Sequence, residues 1–297
     1  LSAGDAWLPG LALQASRSRA NPVPWYDALA QRRVGYQAMT LGNHEFDLGP
    51  QGTKDFINSY NAIGNLPAGA TLADFPVNNA PFITQVDLSS EPAYTTGADS
   101  IAGRWARSTV VNTGGDRVGV IGLTTPLLPQ ISSPGGVTFP GGLTLQAAAD
   151  AVNAEAAALK AQGVNKIVLS GHLQNIRNDV SLIPLLTDVD IVVSAGGHEV
   201  MRQPTGSPFA LNNGDSVNAT LTNGSQITYG QLFTGGDGKN VALVTAGALY
   251  RYVGNLVANF DANGDLLSVD SARSGQARVI RQVSGTGTPL ADVVLPD

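Results

Sequence analysis

The three histidines of this 297-residue chain each lie shortly after an apolar run with the composition of a buried strand. In chain order the pairs are residues 38–41 with His44, residues 166–170 with His172, and residues 191–194 with His198. In open α/β sheets, ligands bind in the crevice at the carboxyl ends of the strands. The pattern therefore predicts an open α/β sheet whose strand ends form a metal site.

Helical patterns alternate with strand-like runs along the chain, which indicates βαβ units and a largely parallel sheet. The sequence predicts helices over residues 24–31 and 50–60. The clearest helical pattern covers residues 145–162, with Thr144 as the expected N-cap and Gly163 as the expected C-terminal stop.

Two hairpins are predicted from short glycine-bearing turns between strand-like runs. One covers residues 107–123, and the other covers residues 255–270 about Asn263-Gly264, where both turn residues accept a positive φ. Residues 202–240 are rich in Gly, Asn, Ser and Thr, which predicts a long surface excursion.

Composition excludes several classes of protein. Lys and Arg total 17 against 23 Asp and Glu, and no basic run occurs, which argues against binding of nucleic acid. A phosphate-bearing substrate is compatible with this charge, since a bound metal ion supplies positive charge locally. Without any cysteine, the fold relies on neither disulfides nor thiolate metal sites. No apolar run approaches the roughly 20 residues that cross a bilayer, so no transmembrane segment is predicted.

Four residues near the predicted strand ends have side chains that suit metal binding: Asp5, Asn43, His172 and His198. The Asn43 amide oxygen is a neutral ligand, and the adjacent His44 points elsewhere, where it can contact a substrate. The Asp5 carboxylate can bridge two cations, and imidazoles suit Zn, Fe or Mn better than Ca. A single histidine after a strand is more often a hydrogen-bonded structural residue, but the combination favours a metal site.

Four short motifs contain these residues, in the order Gly4-Asp5, Gly42-Asn43-His44-Glu45, Gly171-His172 and Gly196-Gly197-His198. In order and spacing they resemble the motifs of calcineurin-like metallophosphoesterases, in particular the catalytic domain of the 5'-nucleotidase branch. The resemblance extends from about Leu1 to Val279. It implies a four-layer αββα sandwich of the α/β class, with a two-metal centre at the strand ends.

The resemblance also implies a role for each site residue. Asp5 would bridge the two metal ions, and Asn43, His172 and His198 would complete one of the two sites. His44, next to Asn43 in the catalytic motif, would stabilise the transition state or protonate the leaving oxygen. The divalent transition metal ions, Zn, Mn or Fe, would activate a water for in-line attack on the phosphoryl group.

Three nearby residues have two alternative roles each. Glu45 and Asp47 either orient the ligands or cap the helix that follows them. Trp7, two residues beyond Asp5, either lines a substrate cleft or packs in the core.

The chain departs from the family pattern at two places. The opening Asp-x-His motif of the family, which serves the other metal, would lie upstream of Leu1. The last motif usually reads Gly-Gly-His-x-His, whereas Val200 stands at its final position here. One metal site is therefore complete in this sequence, and the second keeps only Asp5, with Glu199 as a conceivable substitute ligand.

The predicted domain covers residues 1–283, with its first strand expected upstream, and residues 284–297 are predicted to be a linker or tail. We expect this domain to hydrolyse phosphate esters, as 5'-nucleotidases do, through metal-activated water. The substrate would be a small phosphate ester, with nucleotides as one candidate.

The resemblance implies a bacterial protein that is extracellular, periplasmic or on the cell surface, where envelope proteins are candidate partners. The alternative is a degenerate, catalytically weak or inactive member that serves as a structural or binding module of the cell envelope. The incomplete second metal site motivates this alternative.

Overall fold

The computed structural model describes residues 1–18, 25–60, 84–89, 94, 96, 100–139, 142 and 144–279. This part of the chain has the predicted α/β architecture, with two main sheets and helices packed against them. Residues 284–297, predicted to be a linker or tail, lie outside the described residues.

The smaller of the two main sheets begins near the start of the chain. Its strands are parallel and lie in the order β1 (Ala38–Thr40), β2 (Thr84–Val86) and β3 (Trp105–Ala106). Ser2 extends this sheet by a parallel bridge to Met39, in which the Ser2 N–H donates to the Ala38 carbonyl oxygen at 3.0 Å. Asp5 and Asn43 therefore follow neighbouring stretches of one sheet.

The larger sheet has six strands in the order β4-β5-β6-β7-β9-β8. They are β4 (Ser108–Thr113), β5 (Asp116–Thr124), β6 (Lys166–His172), β7 (Ile191–Val193), β8 (Gln231–Thr234) and β9 (Asn240–Val244). The four central strands are parallel, and each edge strand is antiparallel to its neighbour. The hairpin predicted over residues 107–123 is confirmed as β4 and β5.

Strand β8 lies within residues 202–240, where the composition predicts only a surface excursion, and that part of the prediction is wrong. The strand is short and sits at the sheet edge with its alternate residues exposed. Its weak apolar pattern is therefore hidden by the surrounding Gly, Asn, Ser and Thr.

Two short antiparallel ribbons follow in the chain. They pair β10 (Tyr252–Asn255) with β13 (Gly275–Arg278), and β11 (Ala258–Phe260) with β12 (Leu266–Val269). The second pair confirms the hairpin predicted about Asn263-Gly264, although only Gly264 has a positive φ, 91°. A Cβ at Gly264 would collide with the Asn165 carbonyl oxygen, so this turn requires glycine.

The described residues form six α-helices. They are α1 (Leu11–Arg17), α2 (Tyr26–Val34), α3 (Gly49–Ser59), α4 (Leu128–Ile131), α5 (Leu145–Ala161) and α6 (Ile176–Leu182). The Thr144 hydroxyl accepts the Ala147 N–H at 3.1 Å, and Gly163 has a φ of 77°, so the predicted cap and stop of α5 are confirmed. Helices α2 and α3 confirm the other two predicted helices, with α2 beginning two residues later than expected.

The core has two main parts. Buried side chains of β1 and α3 form one cluster, which includes Met39 and Phe56. Buried side chains of β5, β6 and α5 form the other, which includes Ile121, Leu169 and Val152. Each sheet therefore has helices against one of its faces.

The two sheets pack against each other through their remaining faces. The Thr40 hydroxyl of β1 donates to the Ser170 carbonyl oxygen of β6 at 3.1 Å, and Ala38 packs against Val120. The layers are therefore helix, sheet, sheet and helix, as the αββα resemblance implies. Because Thr40 faces Ser170, the loops that follow β1 and β6 meet at one edge of the sandwich.

Candidate metal centre

The loops that follow Ser2 and β1 approach each other so closely that both require glycine. A Cβ at Gly4 would lie 2.5 Å from the Gly42 nitrogen, and a Cβ at Gly42 would collide with the Asp5 carboxylate. Either Cβ would also lie 2.8 Å from the His172 ring. The glycines of the two motifs therefore allow Asp5 and His172 to come together.

Three of the predicted metal ligands converge at this edge. His172 Nε2 lies 3.1 Å from Asp5 Oδ2 and 3.3 Å from Asn43 Oδ1. His172 Nδ1 lies 2.7 Å from the Ala3 carbonyl oxygen, which can only accept, so Nδ1 carries a proton. In the neutral ring, the Nε2 lone pair then faces two further oxygen acceptors. Three acceptors aimed at one point suit a cation.

The titration of these groups reflects the same arrangement. Burial alone would lower the pKa of His172, but the hydrogen bond and charge of Asp5 outweigh burial and raise it. Burial would raise the pKa of Asp5, but the hydrogen bond and charge of His172 outweigh burial and lower it. Asp5 and His172 therefore stabilise each other's charged forms, and a metal ion beside Asp5 would supply positive charge in the same way.

Gln174 is a residue of this site that sequence reasoning missed. Its Nε2 donates to Asn43 Oδ1 at 2.6 Å from a backbone with a φ of 68°. This hydrogen bond holds the Asn43 amide with Oδ1 toward His172 Nε2. A glutamine two residues after a histidine has no sequence signal for such a role.

His44 lies beside the three predicted ligands, and the carboxylate of Asp47 holds its ring. Its Nδ1 lies 2.5 Å from Asp47 Oδ2, and the Ser132 hydroxyl donates to Asp47 Oδ1 at 2.7 Å. The backbone N–H of His44 donates to Asp5 Oδ1 at 3.0 Å. Of the two roles considered for Asp47, these contacts support orientation, with His44 as the residue oriented. The opposite ring nitrogen, Nε2, is the one that can reach a substrate.

Glu45 is fully buried behind the same two loops. Its Oε2 accepts the N–H groups of Asp5 at 2.9 Å and Gly42 at 2.6 Å, and its Oε1 accepts the Ala6 N–H at 2.7 Å. Burial and then the charge of Asp5 raise the pKa of Glu45 to about 7, against the lowering effect of the hydrogen bonds. The contacts support the role of orienting the ligand loops.

His198 is placed differently from the other predicted ligands. It is exposed, and its φ is 59°. Within the described ranges, no group of three or more His, Cys, Asp or Glu side chains is placed to hold a metal ion. The structure thus brings together Asp5, Asn43 and His172, and the metal-binding role of His198 stays a prediction.

Glu199, the conceivable substitute ligand, is buried and already hydrogen-bonded. Its Oε1 accepts the Ile176 N–H at 3.0 Å, at the start of α6. Its carboxylate lies over Gly197, where a Cβ would collide with it. Among the described residues, its Oε2 has no hydrogen-bond partner. Glu199 therefore ties the loop after β7 to a helix and not to Asp5, Asn43 or His172.

Trp7 belongs to the core. It is 3% exposed, and its ring meets those of Trp25 and Phe56 edge-on, with centroids 5.9 Å and 6.1 Å away. These contacts favour core packing over a place in a substrate cleft.

Comparison with known proteins identifies the domain. The chain is 31% identical to the 5'-nucleotidase of Mus musculus over 235 residues, 79% of this chain and 34% of the relative. It is 30% identical to the snake venom 5'-nucleotidase of Gloydius brevicauda over 79% of this chain and 33% of the relative. The solved 5'-nucleotidase precursor from Thermus thermophilus matches 93% of this chain and 44% of that chain, with a TM-score of 0.68 and 29% identity. This is a metallophosphoesterase domain of the 5'-nucleotidase type.

The αββα fold expected for a metallophosphoesterase domain is therefore confirmed. The chain spans about a third of the length of the curated relatives that it matches. No family model matches the chain. In the described part of the domain, no helix combines the length and apolar composition needed to cross a membrane.

Proposed function

We propose that this domain is a metal-dependent phosphoesterase that hydrolyses phosphate esters of nucleotides. The proposal depends above all on Asp5 Oδ2 and Asn43 Oδ1, which lie 3.1 Å and 3.3 Å from His172 Nε2. The His44–Asp47 pair beside them supports a catalytic use of the site. The mouse and snake venom relatives are both named 5'-nucleotidase, which supports a nucleotide substrate.

Asp5, Asn43 and His172 would hold a divalent transition metal ion, Zn, Mn or Fe, with His198 as the proposed fourth ligand. The donor set fits such an ion, because it combines a carboxylate oxygen, an amide oxygen and an imidazole nitrogen. The Ala3 carbonyl oxygen accepts from the other nitrogen of His172 at 2.7 Å, which orients the ring. A bound ion of this kind polarises a phosphoryl oxygen and lowers the pKa of a bound water.

Asp5 is also the proposed bridge to a second ion. Its two oxygens already face different directions, since Oδ2 contacts His172 and Oδ1 accepts the His44 N–H. The chain has Val200 where the family has a further histidine, and we propose no substitute for it. The number of metal ions bound per chain therefore has to be measured.

His44 would act directly on the substrate. The Asp47 carboxylate accepts the Nδ1 hydrogen and holds the ring in one orientation. In the doubly protonated ring, Nε2 carries a proton that can be donated to the leaving oxygen or can stabilise charge on the transferring phosphoryl group. Asn43 is the other candidate catalytic residue, and it would act through Oδ1, the oxygen proposed to bind the metal ion.

We also infer that the protein is extracellular, periplasmic or on the cell surface. One relative is named as a venom protein, and the matched Thermus thermophilus protein is named as a precursor. A bacterial source and cell-envelope partners rest on the sequence resemblance alone.

A structural or binding module of the cell envelope is the second candidate function. Two observations favour it: His198 is exposed, and Val200 is only 3% exposed at the position of a family metal ligand. A domain with one weak metal site would keep the fold without turnover.

Two measurements on the same protein separate the two functions. Elemental analysis gives the metal content per chain, and an assay with a nucleoside 5'-monophosphate and a simple phosphodiester gives the turnover. Bound metal with turnover, abolished by a chelator and restored by Mn or Zn, is the result expected of the phosphoesterase. No turnover after addition of Mn and Zn would favour the module.

A further inference from the structure

Glu45 connects the two loops that carry Asp5 and Asn43. All three backbone N–H groups that it accepts belong to these loops, at distances of 2.6 to 2.9 Å. Glu45 itself follows Asn43 by two residues, whereas Asp5 lies 40 residues before it. One buried side chain thus joins two segments that are distant in the sequence.

The Asp5 loop requires such support. Asp5 has a φ of 55°, in the left-handed region that is unfavourable for residues other than glycine. Ala6 is 3% exposed and Gly42 is also buried, so their N–H groups have little access to water. Without the Glu45 carboxylate, these buried donors would lose their partner.

The same contacts determine where the Asp5 oxygens point. With the Asp5 backbone held by Glu45, Oδ1 accepts the His44 N–H at 3.0 Å and Oδ2 lies 3.1 Å from His172 Nε2. The hydrogen bond from the Gly42 N–H to Glu45 holds the backbone next to Asn43 in the same way. Both oxygens proposed to bind metal therefore depend on the carboxylate of Glu45.

We propose that Glu45 is a positioning residue that sets the separation of the Asp5 and Asn43 oxygens for a divalent cation. The inference rests on the proposed function, because it assumes that these oxygens bind a metal ion. Glu45 acts through the two loops and does not touch the ion or the substrate.

The variant Glu45→Gln tests this role, because it keeps the size of the side chain and changes its acceptors. A glutamine has one acceptor oxygen, and its NH2 group would face a backbone N–H. We expect the Kd for Zn or Mn, measured by isothermal titration calorimetry, to rise by roughly 10- to 100-fold, the usual effect of losing an outer-shell partner. We also expect faster amide hydrogen exchange at Asp5, Ala6 and Gly42.

Asp190→Asn is the matched control. Asp190 is likewise a buried carboxylate that accepts a backbone N–H, that of Ile167, at 2.8 Å. Ile167 lies at the start of β6, at the opposite end from His172. A purely structural carboxylate should influence stability without changing the metal Kd, and an unchanged Kd is the result expected for Asp190→Asn.

A wild-type metal Kd in Glu45→Gln, or an equal loss of affinity in Asp190→Asn, would overturn the positioning role. If Glu45→Gln does not fold, Glu45→Asp replaces it: this variant keeps the charge but has a shorter reach, and a wild-type Kd there would also overturn the role. Metal binding without turnover in the wild-type protein would contradict the proposed function alone. The metal Kd values of wild type, Glu45→Gln and Asp190→Asn would still test the positioning role of Glu45. A wild-type protein that binds no metal would overturn both.

Discussion

His172 is the last residue of β6 and His198 follows the neighbouring parallel strand β7, yet the two histidines have opposite environments. The His172 side chain is 2% exposed, and its two ring nitrogens contact the Ala3 carbonyl oxygen and Asp5. His198 is exposed, with a left-handed backbone. A strand end thus brings a residue to the correct edge, whereas partners from the opposing sheet determine the direction of its side chain.

The opposing sheet explains the difference. The hydrogen bond from Thr40 to Ser170 places the loops of the smaller sheet over the end of β6. The loop after β7 is instead fixed on its own side, where Glu199 accepts the Ile176 N–H. Asp179 of α6 also accepts the Ser194 hydroxyl hydrogen at 2.6 Å. His172 is therefore held in place by residues of the candidate metal centre. Among the described residues, His198 has no such contact.

The largest effect is expected for His172→Ala. This change removes the only imidazole that contacts both Asp5 and Asn43 among the described residues. We expect the metal Kd to rise by more than the roughly 10- to 100-fold typical of outer-shell partners. Calorimetric titration with Zn or Mn measures it, and an unchanged Kd would show that His172 is not a metal ligand.

His44→Ala should separate turnover from metal binding. His44 contacts Asp47 with its ring and Asp5 only with its backbone N–H, which alanine retains. We expect kcat to fall by roughly 10²- to 10⁴-fold, the usual contribution of a general acid, with the metal Kd near the wild-type value. Loss of metal together with turnover would mean that His44 helps to form the metal site.

His198→Ala tests the exposed histidine. His198 is the proposed fourth ligand, although among the described residues no hydrogen bond or ion pair joins it to Asp5, Asn43 or His172. Its loop would have to turn inward for His198 to bind the metal ion, so we expect its loss to raise the metal Kd by roughly tenfold, less than the loss of His172 does. Parallel titrations of the two variants give the ratio. Equal effects would show that His198 binds the metal ion as firmly as His172 does, and no effect would show that His198 is not a ligand.

The sequence could predict the parts of the fold and site that depend on local patterns. The strand before Gly42, the helix capped by Thr144 and the hairpin at Gly264 all have short-range signals. The order of the motifs also predicted that Asp5 and His172 would share one edge.

The remaining features depend on contacts between distant segments. The Glu45 carboxylate accepts N–H groups from residues 39 and 40 positions earlier, and Gln174 donates to an asparagine 131 positions earlier. No local pattern encodes such pairs, because either partner alone is an ordinary polar residue. The exposed position of His198 has the same cause. Its direction depends on the absence, among the described residues, of a partner from the smaller sheet like the one that Asp5 provides for His172.

The smallest effect on the site is expected at the opposite end of the larger sheet, where Asp190 precedes β7. Burial, and then the charge of Asp265, raise the pKa of Asp190 to about 7 from its ordinary value of 3.8, against the hydrogen bond from Ile167. Between these values the folded state binds a proton that the unfolded state has released. The contribution of Asp190 to the free energy of unfolding therefore falls as the pH rises, by on the order of 1.4 kcal/mol per pH unit over this window.

Asp190→Asn removes this titration while keeping an oxygen that can accept the Ile167 N–H. Urea unfolding of wild type and variant at about pH 5 and about pH 8 should show a smaller loss of stability with pH in the variant, by on the order of 3 kcal/mol. Other buried carboxylates titrate in both proteins, so the difference between the two isolates Asp190. The same pH dependence in both would contradict the raised pKa. An unchanged metal Kd in this variant would show that a change in stability alone does not alter metal binding, so that the different effects of His172→Ala and His198→Ala reflect the positions of the two histidines.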